Sequence, residues 1–132
     1  MVAVFTSRII GKSMPEGQLK DLVEDFRNYK STGHRPENFG RDVAYDSDVT
    51  LRIVREEEVQ HIHLKDADSN WPVRAMQFQM TSDCHLLYCQ GAINDDHYLL
   101  IAVLEPEAHQ LARDNNVMYR VGQVAEKFRA IY

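Results

Sequence analysis

The run Tyr98–Leu104, Y-L-L-I-A-V-L, is apolar at every position and bounded by turn chemistry on both sides. It has strand length and falls far short of the ~20 residues that a membrane-spanning helix needs. A strand without polar alternation is expected at the centre of a sheet, buried on both faces. A second apolar run, Leu86–Gln90, precedes it, and Gly91 with Asn94-Asp95-Asp96 lies between them. Those residues favour a turn, so the two runs predict a hairpin. Pro106 then stops the sheet, and Glu105 or Glu107 is expected to open a helix. Its first turn carries His109, with Arg113 one turn on. A His and an Arg four apart on one helix face, just past a central strand, can act on a phosphate.

The rest of the chain predicts a frame for this hairpin. Val2–Ile10 reads as a first strand. Ser13-Met14-Pro15-Glu16 reads as a helix start, with Ser13 as N-cap, Glu16 as its reciprocal partner and Pro15 in the first turn. Leu19, Leu22, Val23, Phe26 and Tyr29 follow a 3.6-residue period, and Gly33 can end the helix in left-handed geometry. His34–Asp46 reads as an ordered surface loop with Phe39 and Tyr45 turned inwards. The alternative is a groove wall with Arg35 and Arg41 near phosphates. Val49–Val54 fits a strand or a short helical turn, and Glu56-Glu57-Glu58 a solvated tip or a docking point for a basic partner. Val59–Leu64 alternates cleanly, with Ile62 and Leu64 on one side and His61 and His63 on the other. Arg74–Met80 also alternates and suggests a further strand. Asp114-Asn115-Asn116 is placed to interrupt the helix after Pro106. Val117, Val121, Val124, Ala125 and Phe128 then give a final amphipathic helix to about Arg129. The sum is an α+β fold: a twisted antiparallel sheet with helices packed on one face and a C-terminal helix.

At 132 residues the chain fits a single domain, residues 1–132, with one sizeable core. Its N-terminus has no basic segment followed by an apolar core, so no secretion signal is expected. Cys84 and Cys89 would face opposite sides of one strand, which argues for two buried thiols in a reducing compartment rather than a bridge. The net charge is −5. Residues 1–44 hold seven Lys/Arg against six Asp/Glu, residues 45–104 four against ten, and residues 105–132 four of each. An acidic chain does not bind nucleic acid through its overall field. Contact with RNA would need a local patch or the help of a partner.

The alternation places His61 and His63 on the open side of the sheet. His85 falls on the neighbouring strand, and His109 and Arg113 at the end of the central one. Imidazole donates and accepts protons near neutral pH. Three readings stay open. One is acid/base cleavage of RNA, in which one group takes the 2′ proton, a second protonates the 5′ oxygen and a cation stabilises the phosphate. Another is a metal-dependent hydrolase built on the His61/His63 pair, with His85 as third ligand. The remaining one is a non-catalytic interaction domain.

Six segments in order resemble the YafO family of type II toxin–antitoxin toxins, which belongs with the RelE-like ribonucleases. They are F-G-R-D at Phe39–Asp42, H-I-H-L at His61–Leu64, H-L-L-Y-C-Q-G at His85–Gly91 and L-L-I-A at Leu99–Ala102. P-x-x-H-x-x-A-R-D-N-N from Pro106 to Asn116 and G-x-x-A-E-x-F-R from Gly122 to Arg129 complete the set. The resemblance covers nearly the whole chain. It implies a RelE-like domain and a cytoplasmic, ribosome-dependent endoribonuclease that cuts mRNA by metal-independent acid/base chemistry, without a cofactor. It also implies a cognate antitoxin, with the ribosome and mRNA as further partners and no membrane. The residues it favours are His61, His63, His85 and His109 for proton transfer. Arg74 and Arg113 are expected at the phosphate, and Tyr88 at a base or the phosphate, core packing being its alternative role. Met76 and Met80 stand where the family leads one to expect basic residues.

Overall fold

A computed structural model describes residues 1–132. Its elements, in chain order, are β1 (Ala3–Thr6), α1 (Arg8–Ser13), α2 (Glu16–Thr32), β2 (Phe39–Ala44), α3 (Arg52–Glu56), β3 (Gln60–Leu64), β4 (His85–Gln90), β5 (His97–Leu104), α4 (Ala108–Leu111) and α5 (Asn115–Arg129). The sheet order is β1-β5-β4-β3-β2. β4 and β5 form the expected hairpin, and β5 lies inside the sheet with Leu100 and Ile101 fully buried. Burial of each such side chain is worth about 1.5–3 kcal/mol, which makes this strand the anchor of the core.

The architecture corrects several expectations. The sheet is mixed: β1 runs parallel to β5, and the other pairings are antiparallel. Helices cover both faces rather than one. Leu22 and Phe26 of α2 pack with Ile62, Leu86, Tyr88 and Leu100, while Met118, Val121, Ala125 and Phe128 of α5 pack with Leu87, Cys89, Leu99 and Ile101 on the other side. An all-apolar central strand has two faces to hide, so it takes a helix on each. The first strand stops at Thr6. Ser7 caps α1 by accepting from the Ile10 amide at 3.2 Å, turning the chain before Ile9 and Ile10. Ser13 therefore ends α1, its hydroxyl donating to the Ile10 carbonyl at 2.8 Å, and does not cap α2. α2 begins after Pro15 and ends, as expected, at Gly33 with φ +78°.

The segment 34–46 is not all loop, since Phe39–Ala44 pairs with β3 as an edge strand. Arg74–Met80 is not a strand. It is irregular apart from a 3₁₀ turn at Gln77–Gln79, and it lies over β2. Gly40 makes this approach possible, because a Cβ there would strike the Met80 carbonyl and the Trp71 ring. The Arg41 amide donates to that same carbonyl at 2.9 Å. Val49–Val54 resolves into the start of α3. The acidic tip is answered within the chain: Arg129 reaches Glu57 at 3.4 Å and Glu58 at 3.0 Å. Cys84 and Cys89 are both free and buried. No helix is long and apolar enough to cross a membrane.

Candidate active site

Strand register brings the histidines together. In the β3–β4 pairing His63 lies opposite His85 and His61 opposite Leu87, so all three imidazoles leave the sheet on the α5 face. A bulge between Leu87 and Tyr88 in the β4–β5 ladder places both Ile101 and Ala102 in the α5-side core. α5 covers the β4–β5 half of this face and leaves the β3 end to smaller pieces. Tyr45, following β2, lays its ring flat on His61 with centroids 3.9 Å apart and planes 9° apart. α4 brings His109 to 5.0 Å from His85 and 6.1 Å from His63, centroid to centroid. The closest pair is His63–His85, at 4.2 Å.

These rings line a cavity of about 530 Å³ whose wall also includes Arg41, Tyr45, Thr81 and Arg113. The expectation that His61 and His63 stand exposed on an open sheet face is corrected here. They are 8% and 2% exposed, and His85 is 2% exposed. His109 is the accessible ring, with its side chain 61% exposed. Burial pushes His61 down to about 3, aided by the charges that His85 and His63 would carry. Burial likewise takes His85 to about 3, with His63 and His109 adding to the effect, and it lowers His63. All three are neutral at pH 7.

Each ring has a distinct hydrogen-bonding state. His63 Nδ1 lies 2.8 Å from the Ser82 amide nitrogen and 3.0 Å from the Ser82 carbonyl oxygen. The backbone of one residue can therefore serve either tautomer, donating to a bare Nδ1 or accepting from a protonated one. His85 Nδ1 faces the Tyr45 hydroxyl at 3.1 Å, while its Nε2 is buried without a partner. His61 Nδ1 is also buried and unpartnered. An unsatisfied buried group costs about 1–3 kcal/mol, so such atoms are uncommon without a functional reason. His109 is held by Asp83: the Asp83 Oδ1 atom lies 2.9 Å from His109 Nδ1 and accepts from the His109 amide at 3.2 Å. Those two hydrogen bonds keep the Asp83 carboxyl below its usual range. His61, His63 and His85 also offer ring nitrogens within 4.8 Å of one another, a grouping able to hold a metal ion.

The structure thus gathers His61, His63, His85, His109 and Arg113 and leaves two expected residues outside. Tyr88 faces the α2 side of the sheet, 2% exposed, and donates to Asp42 Oδ1 at 2.6 Å while accepting from Lys30 at 3.0 Å. Its place is in the core, because alternation along β4 puts it opposite to His85. Arg74 is exposed on the irregular segment and does not line the cavity. The second cavity cation is Arg41 instead. Its Nε donates to the Phe78 carbonyl at 2.6 Å, and its guanidinium lies 3.8 Å from the Phe78 ring centre. Asp83 and Ser82 were not singled out by the sequence, where nothing in their spacing links them to His109 or His63.

The family model described as "Toxin YafO, type II toxin-antitoxin system" matches residues 27–130. That span runs from the second half of α2 to the end of α5 and contains every residue of the cavity. The chain belongs to the YafO toxin family. A curated YafO relative, the mRNA interferase toxin YafO of Escherichia coli (strain K12), is 44% identical over 127 residues, which is 96% of each chain. No solved structure matches the chain. The YafO match thus rests on sequence.

Proposed function

We propose that this YafO-family toxin is an endoribonuclease that cuts mRNA on the ribosome by acid/base chemistry in the histidine cavity. It would act in the cytoplasm, and an antitoxin partner, which membership of a type II toxin–antitoxin family implies, would silence it. The observation that carries the reading is the convergence of four imidazoles and two guanidiniums on one cavity. His63 is the candidate base. It is neutral, and Ser82 can hold it in the tautomer whose Nε2 lone pair accepts the 2′ proton. The 2′ oxygen then attacks the adjacent phosphorus, forming a 2′,3′-cyclic phosphate as the 5′ oxygen leaves. His109 is the candidate acid. Asp83 fixes its Nδ1 side, so that Nε2 can deliver a proton to the departing oxygen, and its exposure allows reprotonation from solvent. Arg41 and Arg113 stabilise the charge gathering on the phosphate. His61 and His85 complete the dry base of the site. The acidic chain supplies little attraction of its own, so substrate positioning falls to the ribosome.

The test is primer extension on a defined mRNA in a purified translation system, with and without ribosomes. Cleavage is expected only with ribosomes and should end in a cyclic phosphate. His109→Ala should lower the cleavage rate by about 10²–10⁴-fold. Asp83→Asn should lower it less, since it disturbs only the orientation of His109. Both positions are well exposed, so the fold should be unaffected by circular dichroism. Wild-type cleavage by His109→Ala would remove the acid from this mechanism.

A further inference from the structure

We infer that His61, His63 and His85 form a binding site for a zinc-class divalent cation, and that filling it silences the nuclease. Three observations converge on the binding site. The first is the donor set: three imidazoles on two adjacent strands, with ring nitrogens all within 4.8 Å of one another. An ion with bonds of about 2.0–2.1 Å in tetrahedral geometry wants nitrogens about 3.4 Å apart, a distance that modest ring rotations can reach. The second is the orphaned atoms. His85 Nε2 and His61 Nδ1 are buried without any partner, on residues that are 2% and 8% exposed. A cation between them would satisfy both lone pairs at once. The third is the outer layer of contacts. Histidines that bind metals present their other nitrogen to a carbonyl, carboxylate or hydroxyl, which fixes the ring and its tautomer. His63 Nδ1 has the Ser82 carbonyl at 3.0 Å, and His85 Nδ1 has the Tyr45 hydroxyl at 3.1 Å. Both leave Nε2 as the coordinating atom.

The ligand chemistry follows from the donors. Three neutral nitrogens without a carboxylate suit zinc, nickel or cobalt and disfavour magnesium and calcium, which prefer oxygen. The cavity wall includes the exposed His109 and Arg113, so the site is open to solvent on that side and an ion can enter. The inhibitory role rests on the acid/base reading above. The Nε2 lone pair of His63 that would take the 2′ proton is the one the ion would occupy, so a loaded site has no base.

Cobalt(II) titration of the full-length, metal-stripped protein, followed by visible absorption, reads the site directly. Zinc competition against a chromophoric chelator gives the affinity. One ion per chain is expected. His85→Gln should weaken binding by at least 100-fold. Tyr45→Phe keeps the ring packed on His61 but removes the hydroxyl, and should weaken binding about 10-fold. His34→Ala, far from the site in sequence and exposed, should bind as wild type. Circular dichroism checks that each variant is folded, and Tyr45→Phe keeps the test valid if His85→Gln unfolds. The translation assay is then run with added zinc and again with a zinc-selective chelator. Zinc should suppress cleavage and the chelator should restore it. Absence of cobalt binding, or binding unchanged in both variants, overturns the site. Binding without loss of cleavage overturns its inhibitory role, as does cleavage that rises with zinc. Absence of cleavage from the metal-free protein would instead count against the acid/base reading, while the cobalt titration still decides the site.

Discussion

At the residue scale the cavity is marked by three buried imidazoles, His61, His63 and His85. His61 and His85 are held near 3, and His63 is lowered, because burial opposes a charge that the neighbouring rings would also repel. Such groups make stability depend on pH. Above the unfolded value of about 6.5 the rings are neutral in both states and contribute no pH dependence. Below it the unfolded chain binds protons that the folded chain refuses, so stability falls as pH falls towards the folded values. Each ring adds a slope of up to about 1.4 kcal/mol per pH unit. The urea midpoint of the metal-free protein should therefore drop between pH 7 and pH 5, and the triple variant with Gln at positions 61, 63 and 85 should flatten that part of the profile. An unchanged slope in the variant would mean that other groups govern it.

At the element scale the decisive feature is the meeting of β2 with the irregular segment that follows β3. Gly40 allows the Met80 carbonyl to come down onto the strand, and the next residue, Arg41, takes its place in the cavity wall. Gly40→Ala would push the segment away. The expected cost is about 1–3 kcal/mol, read as a lower urea midpoint, together with weaker activity as Arg41 shifts. An alanine variant with wild-type stability would show that the segment yields without penalty. Sequence patterns read these elements unevenly. Helix α2, strand β3, the β4–β5 hairpin and helix α5 were legible, because each has a clear period, although the sequence pattern misplaces the start of α2 at Ser13. Arg74–Met80 also alternates, yet it forms no strand. Its backbone amides bond locally instead, Ala75 to the Pro72 carbonyl and Gln79 to the Met76 carbonyl, and the segment lies over the edge strand β2, where the Gln77 side chain donates to the Gly40 carbonyl.

At the scale of the whole molecule, charge and cavity point the same way. The chain is acidic overall, and the cations lining the cavity are Arg41 and Arg113. With two phosphate contacts, binding of a short single-stranded RNA to the isolated protein should be weak. Its affinity should fall with salt with a log–log slope of about −1.4. Fluorescence anisotropy over a salt series measures this, and a much steeper slope would reveal a basic surface beyond the cavity. On the opposite sheet face, Lys30, Tyr29, Asp42 and Tyr88 form a connected network that joins α2 to β2 and β4. It holds Tyr88, a tyrosine inside a family motif, in the packed frame on the face away from the histidine cavity.

The sequence by itself determined the family, the α+β class, the central hairpin and the shared face of His61 and His63. These follow from local periodicity and from motifs in fixed order, which need no knowledge of what packs on what. Only the tertiary structure decided that helices cover both sheet faces, that the three strand histidines are buried, and that Arg41 rather than Arg74 shares the cavity with Arg113. The same holds for the Asp83–His109 and Tyr45–His85 pairs, which are separated by 26 and 40 residues. Burial and partnership at such distances arise from strand register and from the close approach at Gly40. Neither leaves a period or a spacing in the linear chain.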